Sequence, residues 1–180
     1  MSQAEITTTA SEVVYRNRWM TVREDQILRA NGQPGLYGVV EKPDFTVIAA
    51  VEGGQIYLVE QYRYPVQGRY WELPQGSHED GDLTPLALAA AELREETGLV
   101  AGSLQHVGHL FVAVGYSTQG YNIFFATDLV QHSPEREPEE SDLIVRAFPI
   151  GEVAQMIIDG VIKDATAVAT FGLLKLKGLI

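Results

Sequence analysis

Glu92, Glu95 and Glu96 stand three and four residues apart in a stretch whose neighbours favour helix. At helical periodicity that spacing projects all three carboxylates from one face. Arg94 does not share that face. Three like charges repel, and they sit toward the helix C-terminus, where the macrodipole disfavours anions. Water can relieve this cost by solvating the face, which is the usual fate of a charge run. A divalent cation can also relieve it, since carboxylate oxygens suit the hard ions Mg²⁺ and Mn²⁺. Taken by itself, the helix favours the solvated face.

The helix that must hold these groups has clear bounds. Thr84 suits the N-cap and Pro85 the first helical position. Gly98 stands where a left-handed C-terminal residue is wanted. Leu86, Ala90, Leu93 and Thr97 recur at helical spacing and are expected to face a core. Gly76 opens the loop that leads in.

The rest of the chain must supply the scaffold. Its 180 residues fit one domain with a sizeable core, and 46% hydrophobic with 21% charged residues is a globular composition. Net charge is −11, and no basic face suited to nucleic acid is evident. An acidic protein can still bind an anionic nucleotide when metal ions mediate the contact. The absence of cysteine excludes disulfides, thiol nucleophiles and zinc–thiolate sites, and suits a reducing cytoplasm, the expected location. Met1 to Ala10 lacks the basic and apolar blocks of a signal peptide. No apolar run approaches the ~18 residues of a membrane span.

In order, Met1 to Ser11 reads as a loose tail. Residues 12 to 29 read as a strand pair turning near Asn17-Arg18. Asn31 to Gly35 is a turn, and Leu36 to Glu41 a strand. Phe45 to Val51 and Gln55 to Tyr62 form a hairpin about Glu52-Gly53-Gly54, the first strand apolar enough for burial on both faces. Tyr70 to Pro74 is a short strand. Leu104 to Val114 and Tyr121 to Val130 follow the helix as strands. Residues 131 to 142 make a polar exposed loop. Leu143 to Ile150 is a strand, Gly151 to Asp159 a helix, and Asp164 caps a last helix from Ala165 to about Lys175. The expected class is α/β or α+β, a sandwich with a mixed sheet. Residues 12 to 180 read as one domain, with 12 to 40 as a possible small N-terminal antiparallel sheet.

The stretch from Gly76 to Leu99 resembles the signature of the Nudix hydrolases. Gly76 is followed by five residues and then Asp82, and Glu92-Leu-Arg-Glu-Glu-Thr-Gly-Leu99 matches the second half. The chain departs from the signature in three ways. Asp82 stands for a glutamate, Leu83 behaves as an insertion, and Ala91 stands where the family has an arginine that steadies the acidic cluster. Arg63 or Arg94 are the candidate substitutes, and Arg63 is favoured because Arg94 points away from Glu92. Val59-Glu-Gln-Tyr-Arg-Tyr-Pro65, Trp71-Glu-Leu-Pro-Gln-Gly76 and Asp159-Gly-Val-Ile-Lys-Asp-Ala165 look like the branch acting on ADP-ribose and nucleoside-diphosphate sugars. The resemblance spans about Phe45 to Leu174 and turns the preference toward a metal site.

The resemblance implies an α/β/α sandwich and metal-dependent pyrophosphate hydrolysis, with more than one Mg²⁺ or Mn²⁺ ion. It implies Glu92 and Glu96 as principal ligands, with Glu95 assisting and the backbone carbonyl of Gln75 as a further ligand. A carbonyl ligand does not depend on side-chain identity, so glutamine there is expected to do it no harm. Glu139 and Glu140 are the candidates for a general base or a further metal ligand on a late acidic loop. Arg63 is expected to grip a phosphate oxygen with its fork, and Trp71 and Glu72 to flank the same cleft. His78, His106, His109 and His132 lack metal-ligand spacing and read as structural or surface residues. Phosphate-loop glycines followed by lysine and a hydroxyl residue are absent. The expected partner is a small nucleotide, with no nucleic acid or membrane, and many members of the branch are homodimers. Tyr15, Trp19 and Tyr37 are candidates to stack on a base. Tyr116 lies where dinucleoside-polyphosphate hydrolases carry a tyrosine, which keeps that substrate class open. A nucleotide-sensing domain without catalysis is the other alternative.

Overall fold

The computed structural model describes residues 4–77, 83–133 and 142–180. Residue contacts gather the chain into two compact units, one of residues 1–44 with 111–120, the other of residues 45–110 with 121–180.

The first unit is an antiparallel meander of β1 (Ile6–Arg16), β2 (Thr21–Arg29) and β3 (Pro34–Glu41). The turn expected near Asn17-Arg18 is present. Asn17 Oδ1 accepts from the backbone N–H of Trp19 and of Met20, each at 2.9 Å. The loose tail is a correction, because β1 begins at Ile6. Ile6 and Thr7 to Thr9 are all β-branched residues suited to a pleated strand, and Ile6 and Thr7 pair with Arg29 and Leu28. β1 is exposed along its whole length, with Val13, Val14 and Tyr15 each about half exposed. The segment 111–120 joins this unit through Val40, whose N–H donates to Tyr116 O at 2.7 Å and whose carbonyl accepts from Thr118 N at 3.0 Å.

The second unit begins with β4 (Phe45–Glu52), β5 (Gln55–Arg63), a 3₁₀ turn at Tyr64–Val66, β6 (Gly68–Glu72) and β7 (Gln75–Gly76). Then come α1 (Pro85–Thr97), β8 (Leu99–Phe111), β9 (Gly120–Gln131), β10 (Ile144–Pro149), α2 (Ile150–Ile158) and α3 (Ala165–Leu176). The strand order is β10-β5-β4-β9-β8, with β6 added on β5 and β7 on β4. β4 runs parallel to β9 and antiparallel to β5 and β7, so the sheet is mixed.

β4 is buried on both faces, as its apolar run requires. Val47 and Ala49 pack with Ile123 of β9, Val153 of α2 and Phe171 and Leu174 of α3. Ile48 and Ala50 pack on the opposite side with Ala89 and Leu93 of α1 and Phe124 of β9. Alternation along one strand thus feeds two apolar layers, and the unit is the expected helix–sheet–helix sandwich.

α1 is bounded as its sequence requires. Thr84 Oγ1 accepts from Ala87 N at 3.3 Å, and Gly98 at φ 73° donates to Arg94 O at 2.8 Å. Its buried face differs from the expected one. Leu93 and Thr97 are buried, but Leu86 and Ala90 are exposed, and the other buried residues are Leu88, Ala89 and Glu96. The core-facing stripe is rotated by roughly 60° toward the glutamates. Glu96 therefore belongs to the packed face of the helix.

Candidate functional site

Two backbone residues gather the acidic face. Gln75 and Gly76 form β7, paired antiparallel to β4 with Val47 opposite Gln75 and Thr46 opposite Gly76. This pairing holds the start of the Gly76 loop against the sheet, while α1 brings its glutamates to the same place. The Gln75 N–H donates to Glu96 Oε2 at 3.1 Å, and the Glu96 side chain is fully buried. A β-carbon on Gly76 would collide with the carboxylate of Glu92. That carboxylate lies against Gly76, and the tip of the Glu92 side chain would have to swing away to admit a β-carbon, so Glu92 and Glu96 converge on one dipeptide. Glu95 is half-buried on the same helix.

A second group adjoins it. Arg63, at the end of β5, donates from Nε to Glu72 Oε1 at 2.8 Å and to Oε2 at 3.1 Å, and from Nη2 to Oε2. The Gln75 amide donates to the same Oε2 at 2.8 Å. Glu72 is only 3% exposed, so its charge depends on these donors. Burial works against the charge of Arg63. Hydrogen bonding to Glu72 and the fields of Glu72, Glu96 and Asp164 more than offset this, and its pKa is raised. The fork expected to grip phosphate is engaged on Glu72.

Asp164 was expected only as a helix cap. It does cap α3, accepting from Ala167 N at 2.8 Å and Thr166 N at 3.4 Å. It also lies in the electrostatic neighbourhood of Arg63, Glu72 and Tyr121. Burial raises its pKa most, Glu72 raises it further, and the backbone donors and Arg63 pull it back only in part. Burial likewise raises the phenol of Tyr121, helped by Asp164. The sequence signal available for Asp164 was a capping position, which says nothing of where the helix start lies in space.

Gln75, Glu92, Glu96, Arg63 and Glu72 are therefore brought together. Trp71 is not. It is half-buried and meets Phe148 edge-to-face at 4.9 Å, and alternation along β6 sends it to the face opposite Glu72. The side chain of Gln75, for which the sequence offered no role, holds Glu72. Glu139, Glu140, Asp82 and His78 lie outside the described residues. His106 is exposed and shares a 3.1 Å hydrogen bond with Asn122, and His109 and His132 are exposed.

Among the described residues, no three His, Cys, Asp or Glu side chains are grouped to hold a metal ion by themselves. Mg²⁺ is commonly bound by one or two carboxylates with water and substrate phosphates completing its shell. Glu92, Glu96 and the Gln75 carbonyl offer hard oxygen donors. The guanidinium of Arg63 lies in the fields of three carboxylates, Glu72, Glu96 and Asp164. The donor set fits a divalent cation.

The chain matches a model described as a NUDIX domain over residues 40–171. Residues 6–40 match a model described as a nucleoside diphosphate sugar hydrolase N-terminal domain. An ADP-ribose pyrophosphatase of Mycobacterium tuberculosis is 33% identical over 171 residues, covering 94% of this chain and 83% of that protein. An ADP-ribose pyrophosphatase of Bacillus subtilis is 25% identical over 179 residues, covering 98% and 96%. The crystal structure of an ADP compounds hydrolase has the same fold, with a TM-score of 0.87 at 24% identity over 99% of this chain and 98% of that one.

Proposed function

The chain belongs to the Nudix family and is a pyrophosphatase, and from that premise we propose that it hydrolyses the pyrophosphate bond of ADP-ribose or a related nucleoside-diphosphate sugar, using Mg²⁺ or Mn²⁺. The observation that carries this reading is the convergence of Glu92 and Glu96 on Gln75-Gly76. The names of the relatives from M. tuberculosis and B. subtilis support the substrate class.

Glu92, Glu96 and the Gln75 carbonyl would hold the ions, with Glu95 assisting from the same helix. Bound there, a divalent ion neutralises pyrophosphate charge and acidifies water. The chain's own part is geometric. β7 and α1 fix the donors relative to one another, and Arg63 with Glu72 sets the charge beside them. Glu139 or Glu140 takes the proton of the attacking water in this reading, so that oxygen bonds to phosphorus as the P–O bond to the leaving phosphate breaks. A homodimer belongs to the same proposal, supported by the exposed apolar residues of β1. So does a cytoplasmic location, which the cysteine-free composition suits.

The test is a panel of ADP-ribose, ADP-glucose, GDP-mannose, NADH, diadenosine polyphosphates and nucleoside triphosphates, each with Mg²⁺, with Mn²⁺ and with chelator. AMP and ribose 5-phosphate should appear from ADP-ribose only when metal is present. A clear preference for diadenosine polyphosphates would replace the substrate assignment, and turnover in chelator would remove the metal.

A further inference from the structure

We propose that the side chain of Gln75 is a positioning residue, coupling the Arg63–Glu72 ion pair to Glu96 and so holding the acidic face of α1 from the sheet side. The inference rests on the reading of Glu92 and Glu96 as metal ligands.

Glu72 and Glu96 are buried carboxylates on different elements, and a buried charge persists only when donors or cations reach it. Gln75 reaches both. The Gln75 amide donates to Glu72 Oε2 at 2.8 Å, while its backbone N–H donates to Glu96 Oε2 at 3.1 Å. Arg63 anchors the far side of Glu72 through Nε and Nη2. A continuous path therefore runs from a guanidinium, through a carboxylate and one amide residue, to the carboxylate at the heart of the site.

Ala91 is one turn before Glu95, where an arginine would form an i, i+4 pair, and alanine offers no charge. Arg94 is exposed. The fields of Arg63 and Glu96 reach one another, and Gln75 bridges the two through Glu72. The side chain must be long enough to reach Glu72, neutral so that it does not repel it, and able to donate. Glutamine meets all three needs.

The experiment is an electron paramagnetic resonance titration of Mn²⁺ into the full chain. Gln75→Met keeps the length and removes the donor, and it should bind Mn²⁺ about 10-fold more weakly, the low end of effects for groups that orient metal ligands. Gln75→Asn withdraws the amide by one methylene and should show the same loss, so the test does not depend on one variant folding. Glu72→Gln/Gln75→Met should bind no more weakly than Glu72→Gln alone, because the amide acts through Glu72. Ala91→Arg in the Gln75→Met background should recover affinity. Wild-type affinity in both Gln75 variants, or full additivity with Glu72→Gln, would overturn the coupling and leave the metal reading intact. Failure of the unaltered chain to bind Mn²⁺ would overturn both.

Discussion

The carboxylate of Glu92 occupies the space that a β-carbon on Gly76 would need. The loop glycine and the helix glutamate are thus in close approach, which places the Glu92 oxygens beside the Gln75-Gly76 dipeptide. Gly76→Ala should push Glu92 aside. A misplacement of about 1 Å costs about 100-fold in well-positioned reactions, so kcat/KM should fall by about that much. The core is untouched, and the thermal midpoint should shift by only a few degrees. Steady-state kinetics beside a calorimetric melt checks this, and an unimpaired Gly76→Ala enzyme would mean that Glu92 need not sit where it does.

Glu96→Gln separates charge from packing. The amide oxygen can still accept from the Gln75 N–H, so the buried contact survives. The negative charge is lost, and with it the attraction for a divalent ion. Turnover should fall by about 100-fold or more, with the melting temperature unchanged or raised, because burying a carboxylate is itself costly. Turnover within a few-fold of wild type would remove Glu96 from the metal ligands.

The sandwich was legible because its signals are local. The β4 run, the glycine hairpin after it, the Thr84 cap and the Gly98 stop each follow from residue chemistry within one element. The acidic face was legible as a spacing, and Gly76 as part of a motif. What escaped depends on elements distant in sequence. The burial of Glu96 follows from how far α1 is rotated on β4 and β9, which periodicity gives only to within a residue or so. Leu86 and Ala90 were misplaced for that reason. The tie from Gln75 to Glu72 requires knowing that β6 and β7 bring them together, and the coupling of Asp164 to Arg63 requires knowing where α3 begins in space. The strand at Ile6 was missed because polar threonines resemble a tail unless a partner strand is supplied.

Leu93 links the fold to the site. It is 1% exposed and packs beneath α1 with Ile48, Ala50 and Phe124, three residues before Glu96. Leu93→Ala should cost about 2–5 kcal/mol by lost transfer and cavity. Because α1 carries the carboxylates, Mn²⁺ affinity should fall as well. Leu174→Ala, in the opposite core layer, should cost a similar amount with little effect on affinity. Urea unfolding with a Mn²⁺ titration on both variants distinguishes the two, and equal affinity losses would disconnect α1 packing from the site.

The first unit leaves β1 uncovered, with Val13 and Tyr15 about half exposed on an 11-residue strand. A single exposed sheet of this kind is a pairing liability unless another chain covers it. If that chain is a second copy, Val13→Lys/Tyr15→Lys should shift the sedimentation coefficient from dimer to monomer. A wild-type chain that sediments as a monomer at micromolar concentration would end the dimer reading.

Asp164 gives a pH signature of definite sign. Its pKa in the folded chain is raised above the ordinary 3.8, chiefly by burial, with Glu72 adding repulsion and Arg63 and the α3 backbone opposing it. Folding therefore favours the protonated acid. The associated stability is fully present below about 3.8 and is lost as pH rises through the folded-state value. Asp164→Asn keeps an oxygen for the α3 cap and never ionises. In metal-free protein the variant should match wild type in acid and exceed it near neutrality, the gap opening as pH rises. Urea denaturation between about pH 4 and pH 7.5 measures that gap. A variant whose deficit grows toward neutral pH would show the charged carboxylate to be favourable in the fold, with Arg63 and the helix start outweighing burial.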